Sequence, residues 1–153
     1  MSIVDPEQKK RIAGAMGMFV RTFLVSGRAG QPAEGRLPFN PLNFHILEAL
    51  LNDGPLRLSD LVEEMRVPKT TLASAIGALE KRELLEKKPH PTDGRAKILS
   101  LTSEGQATAE AIQRQNLMNA GVLLALLPDN RVAGFTDDME LLGEKLRELM
   151  ASS

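Results

Sequence analysis

The spacing of apolar residues is helical along most of the chain. Near the start, small or apolar residues form two adjacent stripes with the four-three-four spacing of a helical face. The first stripe comprises Ile12, Met16, Phe19 and Phe23, and the second comprises Ala13, Gly17, Val20 and Leu24. A helix with two apolar faces is buried on two sides, which a small domain by itself rarely provides. We therefore expect a helix over residues 5–27 that packs against a partner chain.

Helix breakers divide the middle of the chain into short elements. They predict a helix over residues 40–52 and a short extended piece over residues 56–58. Ser59 is predicted to cap a brief helix over residues 60–65, and a tight turn leads from there into a helix over residues 68–83. Two short helices joined this closely indicate a helix-turn-helix.

The apolar period changes to two after this motif. Residues 84–88 and 97–101 are predicted as two strands joined by a turn at Asp93-Gly94. Thr102 is predicted to cap a long helix that Pro128 ends. A last helix is marked by Val132, Phe135, Met139, Leu142, Leu146 and Leu149. The expected fold class is mainly α, with one small β-hairpin.

The helix over residues 68–83 has an unusual exposed face. Leu72, Ile76 and Leu79 gather on one side, and the other side holds Thr70, Thr71, Ser74, Gly77, Ala78 and Lys81. Exposed helix faces are normally filled with long polar side chains. Small and hydroxylated side chains let a helix approach a surface closely and reach base edges or phosphates. The alternative is that this face packs against another part of the same protein.

Charge is unevenly distributed. The chain has a net charge of −1, yet residues 66–97 hold eight Lys or Arg against four acids, which gives +4 there and −5 elsewhere. A local basic patch attracts phosphates over about a Debye length, although an ordinary solvated surface could look the same.

Composition excludes several classes of protein. The chain has 153 residues, which fits one domain. It has no cysteine, so disulfides and thiolate metal sites are excluded, and its two histidines form no cluster with metal-ligand spacing. Without tyrosine or tryptophan, stacking on single-stranded DNA is not expected. No apolar run could span a bilayer and no signal peptide is evident, so we expect a cytoplasmic protein. No catalytic motif was found, and no enzyme activity or cofactor is expected.

Several motifs together resemble the MarR family of winged-helix transcriptional regulators. They are Leu58-Ser59-Asp60-Leu61, Val67-Pro68-Lys69-Thr70-Thr71-Leu72, Leu79-Glu80-Lys81-Arg82-Glu83-Leu84-Leu85-Glu86, Asp93-Gly94-Arg95-Ala96 and Leu101-Thr102-Ser103-Glu104-Gly105. The resemblance implies one domain over residues 1–153, with a DNA-binding winged helix over residues 40–101. It also implies a homodimer held by helices within residues 5–27 and 102–151, binding a pseudo-palindromic operator in duplex DNA.

The resemblance also implies roles for individual residues. The helix over residues 68–83 would enter the major groove, Arg95 would enter the minor groove, and Asp93 would brace the wing by pairing with that arginine. Together with the basic patch, this predicts a DNA-binding set of Lys69, Thr70, Thr71, Ser74, Ala78, Lys81, Lys88, His90, Arg95 and Lys97. A pocket for a small anionic or aromatic effector would be lined by Met16, Phe19, Phe23, Phe44 and His45.

Two departures from the family pattern weaken the expected base readout. Many relatives carry arginine where this chain has Ser74, and an Asp-Arg pair where it has Gly77-Ala78. Without long side chains on this face, direct contacts to guanine are expected to be modest, and phosphate contacts to supply much of the affinity. An adaptor that binds proteins and no longer binds DNA is the alternative. For the five pocket residues, His45 among them, an ordinary structural role is the alternative to effector binding.

Overall fold

The computed structural model describes residues 4–25, with side chains up to residue 22, and residues 40–152. The chain divides into two compact units, Met1–Phe39 and Asn40–Ser153. In the first unit, α1 (Pro6–Phe19) continues into a π-helical segment, Val20–Val25. The Asp5 carboxylate accepts from the backbone N–H of Glu7 at 3.2 Å, so this helix begins where the sequence predicts. Of the helix predicted to residue 27, the part beyond residue 25 lies outside the described residues.

The second unit contains the remaining helices and strands of the described chain. In chain order they are α2 (Pro41–Asp53), β1 (Leu56–Arg57), α3 (Leu58–Met65), α4 (Lys69–Lys81), β2 (Leu85–Pro89), β3 (Lys97–Leu101), α5 (Ser103–Ala125) and α6 (Asp129–Ala151). The mainly helical class with a small β element is confirmed. The predicted cap at Ser59 is wrong. The cap position is Arg57, which makes no capping hydrogen bond with its side chain, and Ser59 lies inside the first turn of α3.

The sheet has one more strand than the hairpin that the sequence predicts. Its order is β1-β3-β2 and both pairs are antiparallel. Leu56 pairs with Leu99 and Arg57 with Ile98, so the extended piece before α3 becomes an edge strand beside the wing. This pairing joins residues about forty positions apart, which local periodicity cannot predict.

The apolar core lies where α2, α3, α4, α5 and the sheet meet. Its fully buried large side chains are Ile46, Leu47, Leu61, Leu72, Leu79 and Leu99. Complete burial of a leucine or isoleucine side chain contributes about 1.5–3 kcal/mol. Leu72, Ile76 and Leu79 are the three core residues of α4, and their burial confirms the predicted inward face of that helix.

A tight junction links the end of α4 to the start of α5. The backbone N–H of Leu84 donates to the Leu79 carbonyl at 3.0 Å, with Glu83 in the left-handed region at φ 58°. Thr102 caps α5 by accepting from the backbone N–H of Gly105 at 2.9 Å, as the sequence predicts, and its hydroxyl donates to the Glu83 carbonyl at 2.6 Å. Gly105 packs directly on the backbone of Leu84. These backbone contacts therefore hold the segment after α4 against the start of α5.

Among the described helices α5 and α6 are the longest, and much of their length lies outside the core. Only Gly105, Ala109 and Ile112 of α5 are buried, and α6 has no buried residue. Leu117 of α5 is 73% exposed, and Leu126, the residue that follows this helix, is 77% exposed. The described residues include no helix that could cross a bilayer.

One hydrogen bond ties α6 to the turn between α3 and α4. Arg66, which adopts φ 49° in that turn, donates from Nη1 to the carbonyl of Met150 at 2.8 Å. A cation at the C-terminal end of a helix is favoured by the helix dipole, which is negative there. The last turn of α6 is thus held beside the helix-turn-helix.

Candidate nucleic-acid interface

The exposed face of α4 consists of small and hydroxylated side chains. The alternative, packing against another part of the chain, is not seen in the second unit, where Thr70, Thr71, Ser74 and Ala78 are all exposed and Gly77 is half-buried. A Cβ added at Gly77 would meet no described atom within 4 Å. This face is therefore open to a partner that approaches the backbone closely.

A groove lies between this face and the start of α2. Its volume is about 470 Å³, and its lining comprises Asn40, Leu42, Asn43, Thr70, Thr71, Ser74, Ala75 and Ala78. The Asn40 side chain accepts from the backbone N–H of Asn43 at 3.1 Å and so caps α2. The side-chain oxygen of Asn43 is buried and has no partner among the described residues. Hydroxyl and amide groups in such a groove can bond phosphate oxygens or base edges.

Lysines flank both ends of the bare face. Lys69 is the first residue of α4 and Lys81 the last, and both are exposed. Neither forms an ion pair with another described residue, and the same holds for Lys97 at the start of β3. A cation at the first position of a helix is disfavoured by the helix dipole. A phosphate at this end of α4 would be attracted both by Lys69 and by the dipole.

Two lysines of β2 are less available to a phosphate because each lies beside a glutamate. Lys88 lies with its Nζ 2.6 Å from Oε1 of Glu86, and Lys87 with its Nζ 3.7 Å from Oε2 of Glu80. Part of the +4 charge read from residues 66–97 is thus neutralised locally. Exposed pairs of this kind are weak, typically below about 1 kcal/mol, so a phosphate can compete with Glu86 for Lys88.

The wing is the turn between β2 and β3, and Arg95 lies exposed near its tip. The Asp93 carboxylate accepts from the backbone N–H of Arg95 at 3.1 Å, and the Asp93 carbonyl accepts from the N–H of Ala96 at 3.0 Å. The resemblance implies that Asp93 pairs with Arg95, and among the described residues the Asp93 carboxylate holds the backbone of Arg95. The Arg95 side chain is exposed and forms no ion pair with another described residue.

The His90 ring lies inside the wing turn. Its Nδ1 accepts from the backbone N–H groups of Thr92 and Asp93, each at 3.2 Å, and lies 3.2 Å from the Thr92 hydroxyl. On the other side of the ring, Nε2 lies 3.2 Å from Nη2 of Arg57 on β1. The ring therefore contacts the wing's own backbone.

Sequence reasoning missed Arg57 and the two asparagines of the groove. Arg57 reaches the wing only because β1 pairs with β3, and its signal in the sequence is no more than a basic residue in an extended piece. Asn40 carries the signal of a helix cap, which gives no hint that it also lines a groove beside α4.

The residues predicted to bind an effector fall in both units. In the first unit, Met16 and Phe19 are 60% and 45% exposed, and the side chain of Phe23 lies outside the described residues. In the second unit, Phe44 is half-buried, and His45 is exposed with its Nε2 3.7 Å from Oε1 of Glu64. His45 thus has a partner that fits an ordinary structural role.

Potential metal ligands do not form a cluster in the part of the chain that the structure describes. No three His, Asp or Glu side chains there lie together as metal ligands would.

Comparisons with known proteins converge on one class. The model of the MarR family matches residues 39–97, from the start of α2 to the start of β3. YxaD, an uncharacterized HTH-type transcriptional regulator of Bacillus subtilis, is 27% identical over 107 residues, which are 70% of each chain. The HTH-type transcriptional repressor NicR of Pseudomonas putida is 32% identical over 95 residues, 56% of this chain and 60% of NicR.

A solved structure extends the likeness to nearly the whole chain. The PcaV transcriptional regulator of Streptomyces coelicolor, in complex with its natural ligand, superposes with a TM-score of 0.62 at 24% identity, covering 94% of this chain and 98% of PcaV. At that identity the likeness shows a shared fold. These relatives are regulators and not enzymes, which confirms the prediction that this chain has no enzyme activity.

Proposed function

Because the chain belongs to the MarR family of winged helix-turn-helix transcriptional regulators, we propose that it binds a pseudo-palindromic operator in duplex DNA as a homodimer. The open face of α4 carries this proposal. It consists of small side chains, and the lysine at each end of it forms no ion pair with another described residue. In the major groove, this face would approach the bases closely enough for Thr70, Thr71 and Ser74 to bond their edges.

Affinity would come mainly from phosphates. Lys69, Lys81 and Lys88 would contact the DNA backbone, and the groove beside Asn40 would admit a phosphate next to α4. Such contacts position a protein on DNA without reading its sequence. Since the face of α4 has no arginine, we propose that base readout is modest.

The wing would supply the minor-groove contact. Asp93 holds the backbone of Arg95, which leaves the guanidinium exposed at the wing. Arginine is favoured in narrow, A·T-rich minor grooves because the potential there is most negative. Lys97, exposed at the base of the same wing, would lie near the same groove.

The apolar surface of the long helices supports the homodimer. From the start of α5 to the end of α6 the exposed large apolar side chains are Leu117, Met118, Val122, Leu126, Phe135, Met139, Leu141, Leu142, Leu146, Leu149 and Met150. Monomeric proteins rarely expose apolar patches of this extent. A two-fold symmetric dimer would present two copies of α4 to successive major grooves, about one helical turn apart.

We further propose that the chain is a ligand-responsive repressor. NicR is named a repressor, and PcaV was solved with its natural ligand. For this chain the proposed effector is a small anionic or aromatic molecule, and the proposed contacts are Met16, Phe19, Phe23, Phe44 and His45. With no cysteine in the sequence, a response to a signal would come from binding and not from thiol oxidation. The cytoplasmic location stays a prediction.

A mobility-shift assay on DNA flanking the chain's own gene tests the proposal. We expect a discrete complex at low salt that survives competitor DNA, and a footprint of two half-sites. No shift on any genomic fragment at low salt would contradict DNA binding and favour the adaptor that binds only proteins. The effector part is tested separately, by adding small aromatic acids to the preformed complex and measuring its dissociation.

A further inference from the structure

We propose that His90 is a positioning residue, which holds the wing turn in its DNA-binding shape through Nδ1 and does not itself read DNA. The inference rests on the proposed function, because it concerns how Arg95 is presented to the minor groove. It begins from the contacts of the ring. Two backbone N–H groups, from Thr92 and Asp93, point at Nδ1 from 3.2 Å each.

The tautomer of His90 follows from these donors. A backbone N–H can only donate, so Nδ1 must carry a lone pair, and the neutral ring then carries its proton on Nε2. The Thr92 hydroxyl, 3.2 Å from Nδ1, can turn to donate as well. At Nε2 the facing group is the Arg57 guanidinium, which is also a donor only. Two fixed backbone donors outweigh one exposed side chain that is free to turn toward water, so Nδ1 is the acceptor.

The same turn positions Arg95. Asp93 donates its N–H to His90 and accepts the N–H of Arg95 on its carboxylate, so one residue links the ring to the arginine. The backbone N–H of His90 closes the turn by donating to the Ala96 carbonyl at 3.0 Å. His90 therefore orders the four residues from Thr92 to Arg95. An ordered turn spares the complex the entropy of fixing a loop when DNA binds.

This geometry makes His90 replaceable by one amide and not by the other. An asparagine side chain places its oxygen at the position of Nδ1 and forms the same bonds to the N–H two residues on. A glutamine side chain places its oxygen one bond farther out, near the position of Nε2. His90→Asn should keep the turn, whereas His90→Gln and His90→Ala should lose it.

The first measurement needs no DNA. Long-range ¹H–¹⁵N spectra of the free protein report which ring nitrogen carries the proton. The chain has two histidines, so the signals lost in His90→Asn identify His90. We expect the Nε2–H tautomer, and Thr92 and Asp93 amide signals that are retained in His90→Asn and shifted in His90→Gln. The Nδ1–H tautomer would overturn the proposal.

The second measurement is DNA binding by the three variants. We expect His90→Ala and His90→Gln to weaken binding about tenfold or more, because two hydrogen bonds are missing from the turn of each wing, and His90→Asn to stay within about threefold of the wild type. Equal losses in His90→Asn and His90→Gln would overturn the positioning role. If the wild type binds no DNA at all, the proposed function fails, while the tautomer and amide shifts still decide whether His90 orders the turn.

Discussion

Replacing Gly105 with alanine should loosen the junction between α4 and α5. A Cβ at this position would overlap the carbonyl oxygen of Leu84 and lie 2.7 Å from its carbonyl carbon. Both are backbone atoms, so neither can rotate away. The same oxygen accepts from the N–H of Thr102 at 3.2 Å, and a shift would weaken that bond too. Overpacking costs about 1–3 kcal/mol, and the weakened hydrogen bond costs about 1 kcal/mol more.

A gain in helix propensity of about 1 kcal/mol offsets part of this cost, so we expect a net loss of about 1–3 kcal/mol. Urea unfolding followed by circular dichroism measures it, at one protein concentration because the stability of a dimer depends on concentration. The matched control is Gly77→Ala, where no described atom lies within 4 Å of the added carbon and stability should rise by about 0.4–1 kcal/mol. If Gly105→Ala is as stable as Gly77→Ala, the junction does not depend on close packing.

Four further variants test the interface and the dimer. Arg95→Ala should weaken binding to all duplexes, and most at sites with narrow A·T-rich minor grooves, in anisotropy titrations. Lys69→Ala should lower the salt slope of a dimer by about 2, one contact for each subunit, and should reduce affinity more than Lys88→Ala, because Lys88 must first leave Glu86 at 2.6 Å. Leu142→Glu, on an exposed position of α6, should yield a folded monomer in sedimentation velocity.

Each of these expectations can fail in its own way. An Arg95→Ala protein with unchanged affinity would exclude the wing from the DNA contact. Equal losses at positions 69 and 88 would show that the Glu86 pair does not restrain Lys88. A dimeric Leu142→Glu protein would place the subunit contact elsewhere than this part of α6.

Local signals were enough to predict most of the helices and the face of α4. The apolar period of Leu72, Ile76 and Leu79 identifies the buried side of α4, because a helix in a small domain packs one stripe on the core. The cap at Thr102 was equally predictable, since a threonine side chain bonds the N–H three residues on.

Features that depend on distant parts of the chain were not predictable in this way. The third strand exists because Leu56 and Arg57 pair with β3, far along the sequence. The same pairing brings Arg57 to the ring of His90, and the groove at Asn40 forms because α2 begins beside α4. No periodic pattern records such proximity. The bond of Asp93 to the backbone of Arg95 was missed for a different reason, since the resemblance implies a partner residue but not which of its atoms.

The salt dependence of DNA binding by the wild-type protein tests whether lysine–phosphate contacts supply most of the affinity. Lys69, Lys81 and Lys88 in two subunits would make six phosphate contacts, so the logarithm of the binding constant should fall against the logarithm of salt concentration with a slope of about −5. Anisotropy titrations on a duplex that carries the footprinted site, at a series of salt concentrations, give this slope. We expect a slope near −5, as six phosphate contacts require. Binding that does not change with salt would contradict it.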